Sequence, residues 1–129
     1  MSEVTFLRAF ETLSLSPSQF HHRDHVRLAW LYLRDHPMPV ALEKFAMGLR
    51  RFATHYGASG KYHETITWAL LTLIHERMAP NSGMDWEAFE ATNADLFEWP
   101  SPLLARYYSQ EVLASDLARS SFVMPDRVI

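Results

Sequence analysis

The chain has 129 residues, of which 48% are apolar and 21% charged, a composition typical of one folded globular domain over residues 1–129. Its formal net charge of −3 argues against nucleic-acid and anionic-membrane binding, because proteins of both classes usually carry a basic face. The absence of cysteine excludes disulfides, thiolate metal sites and cysteine nucleophiles, so any metal must be bound by nitrogen and oxygen atoms.

The sequence shows no targeting or membrane-spanning segment. Its first ten residues, MSEVTFLRAF, lack the basic and then apolar run of a signal peptide. No apolar stretch reaches the roughly 20 residues that cross a bilayer. We therefore expect a cytoplasmic protein with no membrane partner.

Apolar residues at helical spacing predict three helices in the first half of the chain. The first covers residues 4–13, and the second covers residues 22–35 and stops before Pro37. The third runs over about residues 40–56, and Gly57 follows as a residue that commonly ends a helix.

The second half of the chain is predicted to be helical as well. A fourth helix runs over about residues 61–78, and a fifth begins at Asp85. Residues 103–121 form one helix or two short ones, and a short extended tail follows. With no alternating strand pattern, the sequence predicts an all-α fold, a compact bundle of five or six helices.

Three histidines are predicted on the apolar faces of their helices. At about 100° per residue, His22 falls at the centre of the apolar stripe of helix two, and His25 flanks it. His63 falls on the apolar side of helix four by the same count. His21 stands four residues before His25, which leaves open whether His21 or His22 points inward. A buried imidazole needs a partner, because an unpaired buried polar group costs about 1–3 kcal/mol.

The predicted partner is a divalent transition metal bound by His22, His25 and His63. Zinc, iron, nickel or copper would accept three imidazole ligands, and an open fourth position would activate water or polarise a substrate. Glu64, Tyr32 and Tyr108 are the candidates for proton transfer near such a site. Two alternatives stay open, which are a metal-free polar pocket and histidines that only join helices.

A second group of polar residues is interpreted as ligand-binding. Asn93 lies within an apolar stripe and either caps a neighbouring helix or lines a pocket. Arg106, Tyr108 and Arg119 would suit a carboxylate or phosphate, unless nearby acidic residues pair with the arginines. Arginines elsewhere predict a local basic patch; they are Arg50 and Arg51 with Arg8, Arg27 and Arg34.

Four motifs carry a resemblance. The strings FHHRDHVRLAWLYL, KYHETIT, LLARYYS and FVMPD together resemble a group of small uncharacterised bacterial all-α proteins, over about residues 20–126. The resemblance implies a compact helical fold and no established activity, so it assigns no role to any residue.

Two hypotheses about function follow. The first is a cytoplasmic helical protein whose histidine-rich pocket binds a metal and binds or acts on a small molecule. The second is a non-catalytic module that binds a small ligand or a protein partner, with structural histidines, as a homodimer that buries surplus aromatic surface.

Overall fold

The computed structural model describes residues 1–127, which form helices and connecting turns with no β-strand. The prediction of an all-α fold is confirmed, but the count of five or six helices is wrong, because these residues contain eight α-helices. They are α1 (Glu3–Glu11), α2 (His22–Asp35), α3 (Met38–His55), α4 (Glu64–Met78), α5 (Trp86–Thr92), α6 (Pro102–Tyr107), α7 (Gln110–Leu113) and α8 (Asp116–Ser120). None of them is both long and apolar enough to cross a membrane.

The chain divides into two compact units, each with its own helices. The first unit, Met1–Tyr62, contains α1, α2 and α3. The second begins at His63 and contains α4 to α8. The single domain expected over residues 1–129 stays a prediction.

Aromatic rings form the centre of the first unit. The centroid of the Phe10 ring lies 5.3 Å from that of Phe20 and 5.7 Å from that of Phe52. This packing brings α1 against α3, and it depends on Gly48 of α3. A Cβ atom at Gly48 would lie only 2.7 Å from Cε2 of Phe10, so the ring occupies the space that a side chain would need.

Several helices begin at residues other than those predicted, because the residues that start a helix N-terminus lie elsewhere. α3 begins at Met38, because Pro39 lies in the first turn, where a missing N–H breaks no helical hydrogen bond. The hydroxyls of Ser101, Ser109 and Ser115 each accept a hydrogen bond from the N–H three residues later, at 3.1–3.2 Å. These three serines therefore start three short helices where one or two had been predicted.

The C-terminal tail forms hydrogen bonds with Thr65 and Tyr108 of the second unit. Residues 122–127 have no regular secondary structure. The buried hydroxyl of Thr65, on α4, accepts a hydrogen bond from the Val123 N–H at 3.1 Å. The hydroxyl of Tyr108 donates to the Val123 carbonyl oxygen at 2.8 Å. The predicted tail is thus an attached segment over residues 122–127, and the last two residues lie outside the described part of the chain.

Candidate functional site

His63, one of the predicted metal ligands, forms hydrogen bonds through both ring nitrogens. It is the N-cap of α4, since this helix begins at Glu64 and not at residue 61 as predicted. Its Nδ1 accepts a hydrogen bond from the Ile66 N–H at 3.1 Å. Its Nε2–H donates to the Leu113 carbonyl oxygen at 2.7 Å. The ring therefore joins the start of α4 to the end of α7 and uses both nitrogens in doing so.

Burial keeps the His63 ring neutral. The residue is 9% exposed, and this burial lowers the pKa of the imidazole below its usual value. The positive charge of Arg119 lowers the pKa further. A neutral ring is what the hydrogen bonds require, because Nδ1 accepts a bond only when it carries no proton.

The other histidines of the prediction lie at the start of α2. His25 donates its Nδ1–H to the His21 carbonyl oxygen at 2.9 Å, and its ring centroid lies 4.1 Å from that of Phe20. Burial lowers the pKa of His25 to about 4. His22 is the first residue of α2 and half-buried, whereas the side chain of His21 is 74% exposed. Of the adjacent pair, His22 is the more enclosed.

The metal site stays a prediction. Among the residues that the structure describes, no three His, Asp or Glu side chains are grouped so that they could hold a metal ion. A metal on His63 would have to displace either the Ile66 or the Leu113 hydrogen bond.

Asn93 stabilises the end of a helix. Its side-chain N–H donates to the Phe89 carbonyl oxygen at 3.0 Å, at the C-terminus of α5, so α5 ends at Thr92. Its side-chain oxygen accepts from Arg77 at 3.1 Å. Arg77 also binds both carboxylate oxygens of Asp95, at 2.9 and 2.8 Å. Asn93 therefore caps its own helix, α5, and not a neighbouring helix as predicted.

The remaining candidates of the second unit are spread over several elements. Tyr108 is 2% exposed, and burial raises the pKa of its phenol, which is bonded to the tail. Arg106 and Arg119 are exposed, on α6 and α8. Glu64 is the first residue of α4 and half-buried. Their predicted roles in ligand binding and proton transfer stay predictions.

A groove of about 710 Å³ opens on the first unit, and we call it the α3 groove. Most of its lining comes from one face of α3, and α1, the turn after α1 and α2 contribute the rest. The lining residues are Phe10, Glu11, Leu13, Tyr32, Lys44, Met47, Gly48, Arg50, Arg51, Thr54 and His55.

Tyr32 is the one proton-transfer candidate that the α3 groove includes. Its hydroxyl donates to a carboxylate oxygen of Glu11 at 2.8 Å. Burial and the nearby carboxylate both raise the pKa of the phenol. Tyr32 therefore keeps its proton near neutral pH and acts here as a fixed hydrogen-bond donor.

The turn after α1 holds Leu13 in an unusual conformation. The Leu13 N–H donates to the Phe10 carbonyl and the Ser14 N–H to the Ala9 carbonyl, the hydrogen bonds of a Schellman motif. Glycine usually occupies the left-handed position of this motif, yet Leu13 has φ 63° there. The hydroxyl of Tyr56, the residue that follows α3, lies 2.7 Å from the Leu15 carbonyl oxygen and 3.0 Å from the Leu13 carbonyl oxygen, and it thereby anchors the turn to the end of α3.

Arg50, Arg51 and Tyr32 are all candidates in the sequence, but no pattern there joins them in one site. The missed signal lies in α3, where Lys44, Met47, Gly48 and Arg51 follow the i, i+3, i+4, i+7 spacing of one helix face. A glycine within that face indicates close approach of another chain segment. Of the other predicted patch residues, Arg27 lies over the Phe6 ring, 5.3 Å from its centroid.

Comparison with known proteins supplies no relative for this chain, since no protein-family model, curated protein or solved structure matches it.

Proposed function

We propose that the first unit is a non-catalytic binding module that holds a small molecule with an apolar body in the α3 groove. The volume of about 710 Å³ supports this, because small-molecule sites usually measure about 300–1,000 Å³. Phe10, Leu13 and Met47 would contact the apolar body. The Tyr32 and Glu11 pair supplies fixed polar groups at its side.

The conformation of Leu13 carries the proposal. A non-glycine residue in the left-handed region costs about 1–2 kcal/mol, and a glycine would avoid that cost. A leucine at this position makes sense when its side chain is needed, and it lines the α3 groove. Backbone strain of this kind is concentrated at binding and catalytic sites.

The contacts of His63 and His25 support a structural role for these two histidines and not a catalytic one. His63 uses both ring nitrogens within the second unit, and His25 packs on Phe20 while bonded to the His21 carbonyl. Each of these contacts is what a structural histidine makes. The metal-binding alternative requires a different arrangement of these side chains.

The test is binding of N-phenylnaphthylamine, a neutral apolar dye that fluoresces more strongly in an apolar site. Leu13→Gly should weaken dye binding severalfold, because it removes an apolar contact, while the free energy of unfolding stays equal or rises by up to about 1 kcal/mol. Opposite directions for binding and stability would distinguish a functional leucine from a packing residue. A loss of both would contradict the proposal.

A matched pair of methionine variants controls for surface hydrophobicity. Met47 is 61% exposed in the α3 groove, and Met124 is 75% exposed on the tail. Met47→Gln should weaken dye binding by about fivefold, which corresponds to roughly 1 kcal/mol. Met124→Gln should leave it unchanged, and equal effects of the two changes would mean nonspecific adsorption.

A further inference from the structure

The charged residues that line the α3 groove are mostly cationic, although the whole chain has a net charge of −3. Lys44, Arg50 and Arg51 contribute three positive charges, and Glu11 contributes one negative charge. The Glu11 carboxylate already accepts the Tyr32 hydroxyl. An apolar lining with an excess of positive charge is complementary to a ligand that has an apolar body and an anionic end.

The two arginines are held in place before any ligand binds. Arg51 donates from Nη1 to the Glu11 carbonyl oxygen at 2.8 Å, which fixes the guanidinium at the C-terminus of α1. The guanidinium of Arg50 lies over the Tyr62 ring, 5.0 Å from its centroid. A preorganised cation loses less conformational entropy on binding than a freely rotating one. A guanidinium also matches the two oxygens of a carboxylate geometrically.

From these contacts, and on the basis of the proposed function, we infer that the ligand is a small amphipathic carboxylate whose anionic end binds Arg50 and Arg51. Its apolar body lies along Met47 and Phe10. A volume of about 710 Å³ suits a molecule of this size rather than a protein partner, whose interfaces are far more extended.

Lys44 provides an internal comparison. It lies seven residues before Arg51 on the same face of α3, or about 10 Å along the helix axis. Lys44→Gln and Arg50→Gln remove the same charge from the same groove. General electrostatic attraction would be weakened equally by both changes, whereas a carboxylate site at the arginines would be weakened mainly by the second.

The experiment measures displacement of bound N-phenylnaphthylamine by decanoate and by decanol at neutral pH and low ionic strength. The two competitors have the same chain length and differ in their head group. We expect decanoate to displace the dye at a concentration at least about tenfold lower than decanol, although decanol is the more apolar molecule. Added salt should reduce this preference, because the α3 groove is open to solvent.

The arginine variants complete the test. Arg50→Gln should abolish most of the preference for decanoate, and Lys44→Gln should leave most of it. Arg51→Lys keeps the charge while removing the guanidinium fork, so it should give an intermediate preference even if Arg51→Gln fails to fold.

The outcomes separate this inference from the proposed function. If the dye binds but decanol competes as well as decanoate, the carboxylate ligand is refuted and the binding module stands. If Lys44→Gln and Arg50→Gln act equally, the assignment to the arginines is refuted. If the unaltered protein binds no dye, the proposed function fails, and this inference fails with it.

Discussion

Replacing His63 by alanine should destabilise the second unit by about 2–3 kcal/mol. The change leaves the Ile66 N–H without its cap, which costs about 1 kcal/mol, as expected for loss of a helix N-cap. It also leaves the Leu113 carbonyl oxygen, which is part-buried, without its donor, which costs about 1–2 kcal/mol more. The sum is a sizeable fraction of the free energy of unfolding of a typical domain, which is about 5–15 kcal/mol.

Urea unfolding followed by far-ultraviolet circular dichroism measures this loss. At a typical dependence of about 1–3 kcal/mol per molar urea, the midpoint of unfolding should fall by roughly 0.7–3 M. His63→Asn should recover about half of the loss, because asparagine is a good N-cap but is too short to replace the ring at Leu113. His75→Ala, at an exposed position on the same helix, should cost less than about 0.5 kcal/mol.

The same experiment distinguishes a structural His63 from a metal ligand. If the ring acts through its two hydrogen bonds, the loss is the same with and without a chelator, and elemental analysis shows no metal that the variant lacks. A loss below about 0.5 kcal/mol would refute the hydrogen-bond argument. A loss seen only before chelation, together with stoichiometric metal in the unaltered protein, would favour the metal site instead.

Three further predictions concern packing, pH and the tail. Gly48→Ala should destabilise the first unit by up to about 2 kcal/mol in urea unfolding, because overpacking against Phe10 costs about 1–3 kcal/mol and the gain in helix propensity is about 1 kcal/mol; a stabilised variant would contradict this contact. The pKa of His25 is about 4 in the folded protein and 6.5 in the unfolded chain. The neutral ring therefore contributes fully to the free energy of unfolding above pH 6.5, and this contribution is lost as the pH falls toward 4. Between pH 6.5 and 4, the free energy of unfolding of the unaltered protein should fall with pH more steeply than that of His25→Asn, by about 1.4 kcal/mol per pH unit. If the free energies of unfolding of the two proteins change in parallel with pH, the lowered pKa of His25 is refuted. Thr65→Val should cost about 1–3 kcal/mol, since it removes the hydroxyl that bonds the tail, and faster proteolysis of residues 122–127 should accompany it; an unchanged cleavage rate would show that the tail is held by other contacts.

Local sequence determined most of the helices. The bounds of α2 were predicted to the residue, and the end of α4 at Met78 was predicted too, because apolar spacing and prolines act within a few residues. The hydroxyls of Ser101, Ser109 and Ser115 are also local signals, but the prediction for residues 103–121 left out their ability to cap a helix N-terminus. The burial of His63 was predicted correctly, although from a helix that was started too early.

Only the tertiary structure decided what the polar groups do. The partner of His63 is a backbone carbonyl fifty residues away, and every residue has such a carbonyl, so no pattern in the sequence could identify it. The α3 groove joins Leu13, Tyr32 and Arg51 from separate elements, and the close packing of Phe10 on Gly48 brings α1 and the turn after it against α3. The spacing of apolar residues indicates which face of a helix is buried. Which two helix faces pack together depends on the angle at which the helices cross.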